Sequence, residues 1–118
     1  MNIDVLGTKY EIIVKKLGEE EVFERLSVCG FCDEFNKEIL VCDPASCEGW
    51  EHAEQKIIDI ARKEIIRHEI IHAFLIESGL GAATTESSGG WAKNEEMIDW
   101  FAVQGLKIYT AWREAGAA

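Results

Sequence analysis

The tightest constraint in this sequence is His68-Glu69-Ile70-Ile71-His72, an H-E-x-x-H motif inside a stretch of helical periodicity. Ile57, Ile58, Ala61, Ile65, Ile70, Ile71 and Leu75 recur at three- and four-residue spacing, which predicts one long helix over 51–78. Side chains four apart on a helix diverge by only about 40°, so both imidazoles leave from one face. Two neutral imidazoles at that spacing can share one Zn²⁺. Glu69 follows the first of them directly and is placed to act as general base toward a metal-activated water. The chain has three histidines, and two of them fall in this motif. The flanking isoleucines belong to a face that must be buried, where two histidines and a glutamate are costly without a partner. The plainer reading is a set of core polar groups satisfied by ordinary hydrogen bonds.

A catalytic zinc site takes three protein ligands and keeps one open position. No histidine follows His72, which excludes the longer H-E-x-x-H-x-x-G-x-x-H pattern. His52 lies 16 residues before His68 on the same predicted helix. That is about 24 Å at helical rise, out of reach. Glu77 points elsewhere around the helix and is expected to end it or to meet a basic residue. The remaining carboxylates, Glu95, Glu96 and Asp99, stand on a second helix predicted over 93–105. Glu95 and Asp99 are four apart and share a face. Glu95 can then ligate the metal while Asp99 accepts a hydrogen bond from a ligand imidazole and fixes its tautomer. Glu96 shares its face with Trp100 and remains the alternative ligand. A third reading needs no metal: Asn94 caps the helix, and the two glutamates are acidic first-turn residues favoured by the dipole.

Residues 67–74 (RHEIIHAF) and 94–104 (NEEMIDWFAVQ) resemble the gluzincin-like metallopeptidases, and among them the compact ImmA/IrrE type. In that type the H-E-x-x-H helix is followed by a helix of the form E-x-x-A-N-x-F-A. Glu95 falls on the ligand glutamate, Ile98 on the alanine, Asp99 on the asparagine, and Phe101-Ala102 on the Phe-Ala. Ile98 replaces a small residue, and Val103-Gln104-Gly105-Leu106 stands where a Leu-Leu-Met-Pro-like segment often follows. The match spans about 35 residues, about 30% of the chain. It implies a zinc-dependent peptidase of the kind carried by phages and mobile elements, acting on a repressor protein.

Strands are expected before the helices. Ile3, Val5, Tyr10, Ile12 and Val14 alternate with polar residues around Gly7-Thr8, predicting a hairpin over 2–15. Ile13 interrupts the alternation. A polar connection over 17–26 leads, through a short helix, to a second hairpin over 28–42. If its turn centres on Phe35 and Asn36, Cys29 lies opposite Cys42, and Pro44 ends the strand. Gly79 is a left-handed C-cap, 79–90 a surface loop, and Gly105 a break before a last short helix over 106–113. The expected fold class is α+β. A small antiparallel sheet of N-terminal hairpins packs on the H-E-x-x-H helix and a second, C-terminal ligand helix, in a single domain, 1–118.

The charge balance, 12 basic against 22 acidic residues, disfavours nucleic acid as a partner. No apolar stretch reaches the ~20 residues of a membrane span. The first residues lack a signal-peptide pattern, so a cytoplasmic, reducing setting is expected. There Cys29, Cys32, Cys42 and Cys47 are thiols or, as Cys29-x-x-Cys32 with Cys42-x₄-Cys47, a second, structural zinc site. Trp50, Trp91, Trp100, Phe101, Tyr109 and Trp112 are expected mostly in the core. Trp91 is a candidate to line a cleft and Tyr109 to steady an oxyanion. The function expected is hydrolysis of a peptide bond in a protein substrate by a zinc endopeptidase, with His68, His72 and Glu95 as ligands and Glu69 as base. The alternative is a non-catalytic zinc-binding protein acting through protein–protein contacts. A nuclease or other hydrolase is disfavoured by the acidic balance. The strand ending at Cys42 is expected at the sheet edge beside the cleft, where a peptide can add as a further strand.

Overall fold

The computed structural model describes residues 1–83 and 90–118. Strands β1 (Asn2–Val5) and β2 (Thr8–Lys15) form an antiparallel hairpin. Its turn is Leu6-Gly7, one residue earlier than the sequence suggests, with φ of 50° and 89°. Both central positions of this turn are left-handed, and glycine occupies the second. A 3₁₀ turn (Leu17–Glu19) and the short helix α1 (Glu21–Arg25) lead to β3 (Gly30–Asp33) and β4 (Glu38–Cys42), an antiparallel hairpin. Cys42 donates its backbone N–H to the Cys29 carbonyl at 2.8 Å, which sets these two cysteines opposite each other.

The architecture is α+β, and the sheet order is β1-β2-β4-β3. The expected purely antiparallel sheet is corrected here: β2 and β4 pair in parallel, Ile12 against Ile39 and Val14 against Val41. A parallel pair needs a crossover of a dozen residues or more. The stretch through α1 supplies it, and β3 then returns along the far edge. β4 therefore lies inside the sheet, and β3, not β4, is the edge.

The run Ile39-Leu40-Val41-Cys42 is buried on both faces of the sheet, as befits an inner strand. Ile39 and Val41 join Val5, Tyr10 and Ile12 on one face, packed by Ile65, Ile66, Ile70 and Ala73. Leu40 and Cys42 meet Val22 and Phe23 of α1 on the other, with Ile13 and Phe31. Ile13 breaks the alternation because this second face is covered as well.

The four helical residues just named on the first face belong to α2 (Gln55–Glu77). It starts later than expected, so His52 lies outside it, exposed. Gly79 adopts φ 85° and closes it. Glu77 anchors this end: its carboxylate accepts from Thr8 Oγ1 (3.0 Å), Tyr10 OH (2.7 Å) and Lys37 Nζ (2.6 Å). The expected loop over 79–90 begins instead with a helical turn, α3 (Leu80–Ala83), and its remainder, 84–89, lies outside the described residues.

Helix α4 (Glu95–Glu114) opens on Asn94, whose side chain accepts from the Met97 N–H at 2.8 Å. The expected break at Gly105 does not occur. One glycine costs a helix only about 1 kcal/mol, and helix formers flank it on both sides. Ile98 and Ala102 are buried, and Arg67 Nε donates to the Ala102 carbonyl at 2.6 Å, clamping α4 to α2. Beyond Ala102 the helix leaves the core. Trp100, Phe101, Tyr109 and Trp112 are all exposed, as is Trp91, so these aromatics are not core residues. Among the described residues, no helix is long and apolar enough to cross a membrane.

Candidate metal centre

The site forms where α2 meets the first turns of α4, with β3 as its other wall. The helical spacing of His68 and His72 brings their Nε2 atoms to 3.2 Å. The Asn94 cap starts α4 so that Glu95, in its first turn, reaches both: Oε2 lies 3.0 Å from His68 Nε2 and Oε1 3.1 Å from His72 Nε2. The two carboxylate oxygens thus face one imidazole each, and one ligand atom from each of the three residues lies within 4.8 Å of the others. Two imidazole nitrogens and one carboxylate also match the donor set of a catalytic zinc site. Among the described residues, His68, His72 and Glu95 are the group able to hold a metal ion.

Asp99, one turn after Glu95, has its Oδ1 2.6 Å from His68 Nδ1. An ionised carboxylate can only accept, so Nδ1 carries the proton and the Nε2 lone pair faces the other donors. Burial lowers the His72 imidazole below its usual value, Glu95 opposing and His68 reinforcing the effect. It is thereby kept in the neutral form that binds metals. Glu96 takes no part. It does not line the cleft and borders instead a second surface groove with Trp100 and Val103.

Glu69 forms the floor of the site and is 6% exposed. Its Oε1 is 3.9 Å from His68 Nε2. Burial pushes its carboxyl up to about 7; His68 draws it down, while Glu95 and Asp99 raise it further. The surrounding cleft has a volume of about 550 Å³. Val28, Phe31, Ala61 and Ile65 give it apolar walls, and β3 forms one rim. The expected edge strand is therefore replaced by β3 beside the site.

The cysteines do not form a four-thiol cluster. Cys32 packs on the α2 face of the sheet, whereas Cys42 and Cys47 pack on the α1 face, their Sγ atoms 3.5 Å apart. Burial, followed by the Glu69 charge, pushes the Cys32 thiol up to about 12, which keeps it protonated. Tyr109 is ten residues past Asp99, about 15 Å along the helix, and does not serve the site. Sequence reasoning missed Gly30, Phe31 and Glu64 as lining residues. A glycine in a predicted strand was the available signal, since it often marks close approach by another group.

No family model matches the chain, and no curated protein or solved structure matches it significantly.

Proposed function

We propose that the chain is a zinc-dependent endopeptidase in which His68, His72 and Glu95 hold the metal and Glu69 is the general base. One observation carries this reading: three metal-type donors converge within 4.8 Å at the mouth of a cleft whose floor is a buried glutamate. A bound zinc ion would polarise the scissile carbonyl as a Lewis acid and lower the pKa of water there toward ~7. Glu69, buried at the floor of the site, takes the proton of the attacking water and delivers it to the leaving amine nitrogen. Asp99 keeps His68 in the ligand tautomer. The free edge of β3 offers backbone donors and acceptors along which an extended peptide adds as a fifth strand. Four free thiols suit a reducing compartment such as the cytoplasm. The resemblance to ImmA/IrrE-type peptidases makes a repressor protein the substrate class.

The test combines metal analysis with proteolysis of an unfolded protein substrate. Expected are one zinc per chain, loss of that zinc in His72→Ala, and cleavage that drops at least 100-fold in Glu69→Gln while zinc is retained. Equal zinc in wild type and His72→Ala overturns the metal site, and undiminished cleavage by Glu69→Gln overturns the base. Bound zinc without any cleavage by the wild type supports the non-catalytic alternative, against which the presence of Glu69 stands, since a purely structural site needs no general base.

A further inference from the structure

Strand β3 passes directly over Glu69, and the contact is made at Gly30. A Cβ built on Gly30 would lie 2.6 Å from Glu69 Oε1, 2.8 Å from Glu69 Cγ and 2.9 Å from Ile65 Cγ2. Non-bonded carbons do not approach that closely, so any larger residue forces something to move. The backbone of Gly30 does not lie in the left-handed region, and its extended pairing with Val41 suits any residue. Glycine is therefore required here by space alone. Isolated glycines inside strands weaken them, and this one sits on a strand of four residues. The missing side chain leaves a notch, and the Glu69 carboxylate occupies it.

The notch has a direction. The same Oε1 that meets Gly30 lies 3.9 Å from His68 Nε2. The carboxylate therefore sits against the β3 backbone at Gly30 and close to the His68 imidazole, on a Cα fixed by α2. The geometry points to Gly30 as a positioning residue: its absent side chain sets the reach of Glu69 toward the metal-type donors. This rests on the peptidase reading for its catalytic meaning, though the steric notch stands independently of it.

The experiment is a set of substitutions read first by urea unfolding, which needs no substrate. Gly30→Ala should lower the unfolding midpoint of the wild type. In a Glu69→Ala background the same substitution should cost clearly less, because the two closest atoms belong to Glu69 and only the Ile65 contact remains. An Ile65→Ala background serves as the control. If Gly30→Ala costs as much in Glu69→Ala as in the wild type, and the cost vanishes in Ile65→Ala, the glycine serves packing on Ile65 and the proposal is overturned. A Gly30→Ala protein that fails to fold, while Gly30→Ala/Glu69→Ala folds, supports the notch. Failure of both to fold overturns it. The kinetic arm separates position from bulk structure. Zinc-loaded Gly30→Ala should keep its zinc content and KM and lose at least tenfold in kcat. A fall in zinc content or a rise in KM at unchanged kcat overturns positioning of the base. A wild type that cleaves nothing overturns the peptidase reading instead, and the unfolding cycle then decides the notch alone.

Discussion

At the residue scale the candidate metal centre has hydrogen-bonded support as well as three metal-type donors. Asp99 is exposed, yet its Oδ1 sits 2.6 Å from His68 Nδ1. Losing such a partner typically weakens metal affinity by about 10–100-fold without unfolding the protein. Asp99→Ala should therefore shift competition with a zinc chelator by that factor at unchanged circular dichroism. Glu95→Ala should lose more, and Glu96→Ala should stay within about twofold, since Glu96 neither joins the donor group nor lines the cleft. The opposite ranking, with Glu96→Ala the most damaging and Asp99→Ala silent, would refute the assigned triangle. The convergence of His68 and His72 was legible because helical geometry converts a four-residue spacing into a shared face. The shared face of Glu95 and Asp99 was legible for the same reason, though only the fold brings Glu95 next to both imidazoles. Gly30 was not legible. Its meaning comes from a contact with a residue 39 positions later, and no local pattern records that.

At the element scale, the helices and hairpins follow from periodicity, and their ends and partners do not. Both hairpins could be read from alternation and turn residues. The parallel pairing of β2 with β4 could not, because it depends on where α1 packs. Ile13 held the clue, since a second apolar face on β2 implies a cover on both sides of the sheet. Gly105 illustrates the reverse error. A helix-breaking propensity of about 1 kcal/mol is a weak signal beside a run of helix formers. The structure places nothing within 4 Å of a Cβ added there. Gly105→Ala should accordingly stabilise α4 by about 0.5–1 kcal/mol, seen as stronger helical circular dichroism and slower amide exchange over 100–110. Faster exchange or lower helicity would show that the helix breaks at Gly105 in solution. The exposed Leu106, Tyr109 and Trp112 explain why counting aromatics misplaced the core: an apolar face predicts burial only where another element lies against it.

At the scale of the whole molecule, Glu77 joins the parts that the site depends on. It ties the C-terminal end of α2 to the β1–β2 hairpin through Thr8 and Tyr10, and to the turn before β4 through Lys37. The sequence foresaw a basic partner for Glu77 but not the two hydroxyls, which arrive from residues nearly 70 positions away. Lys37 foremost, then Tyr10, holds the Glu77 carboxyl below its ordinary value of 4.5. A depressed folded-state pKa contributes stability that is present above the unfolded value and is lost as pH falls through the folded one. Glu69 acts in the opposite sense: burial raises its carboxyl to about 7, so in metal-free protein its contribution falls as pH rises toward that value. The Glu77 contribution is therefore isolated as a difference between variants, measured on chelator-treated protein, in which Glu69 and His72 cancel. Glu77→Gln should unfold at lower urea than the wild type at pH 7. The gap should hold down to about pH 4.5, narrow below that, and disappear once both side chains are uncharged. A gap that stays constant from pH 7 to pH 3 would mean that the substituted glutamine differs by packing alone, and that the carboxylate does not knit the helix to the sheet.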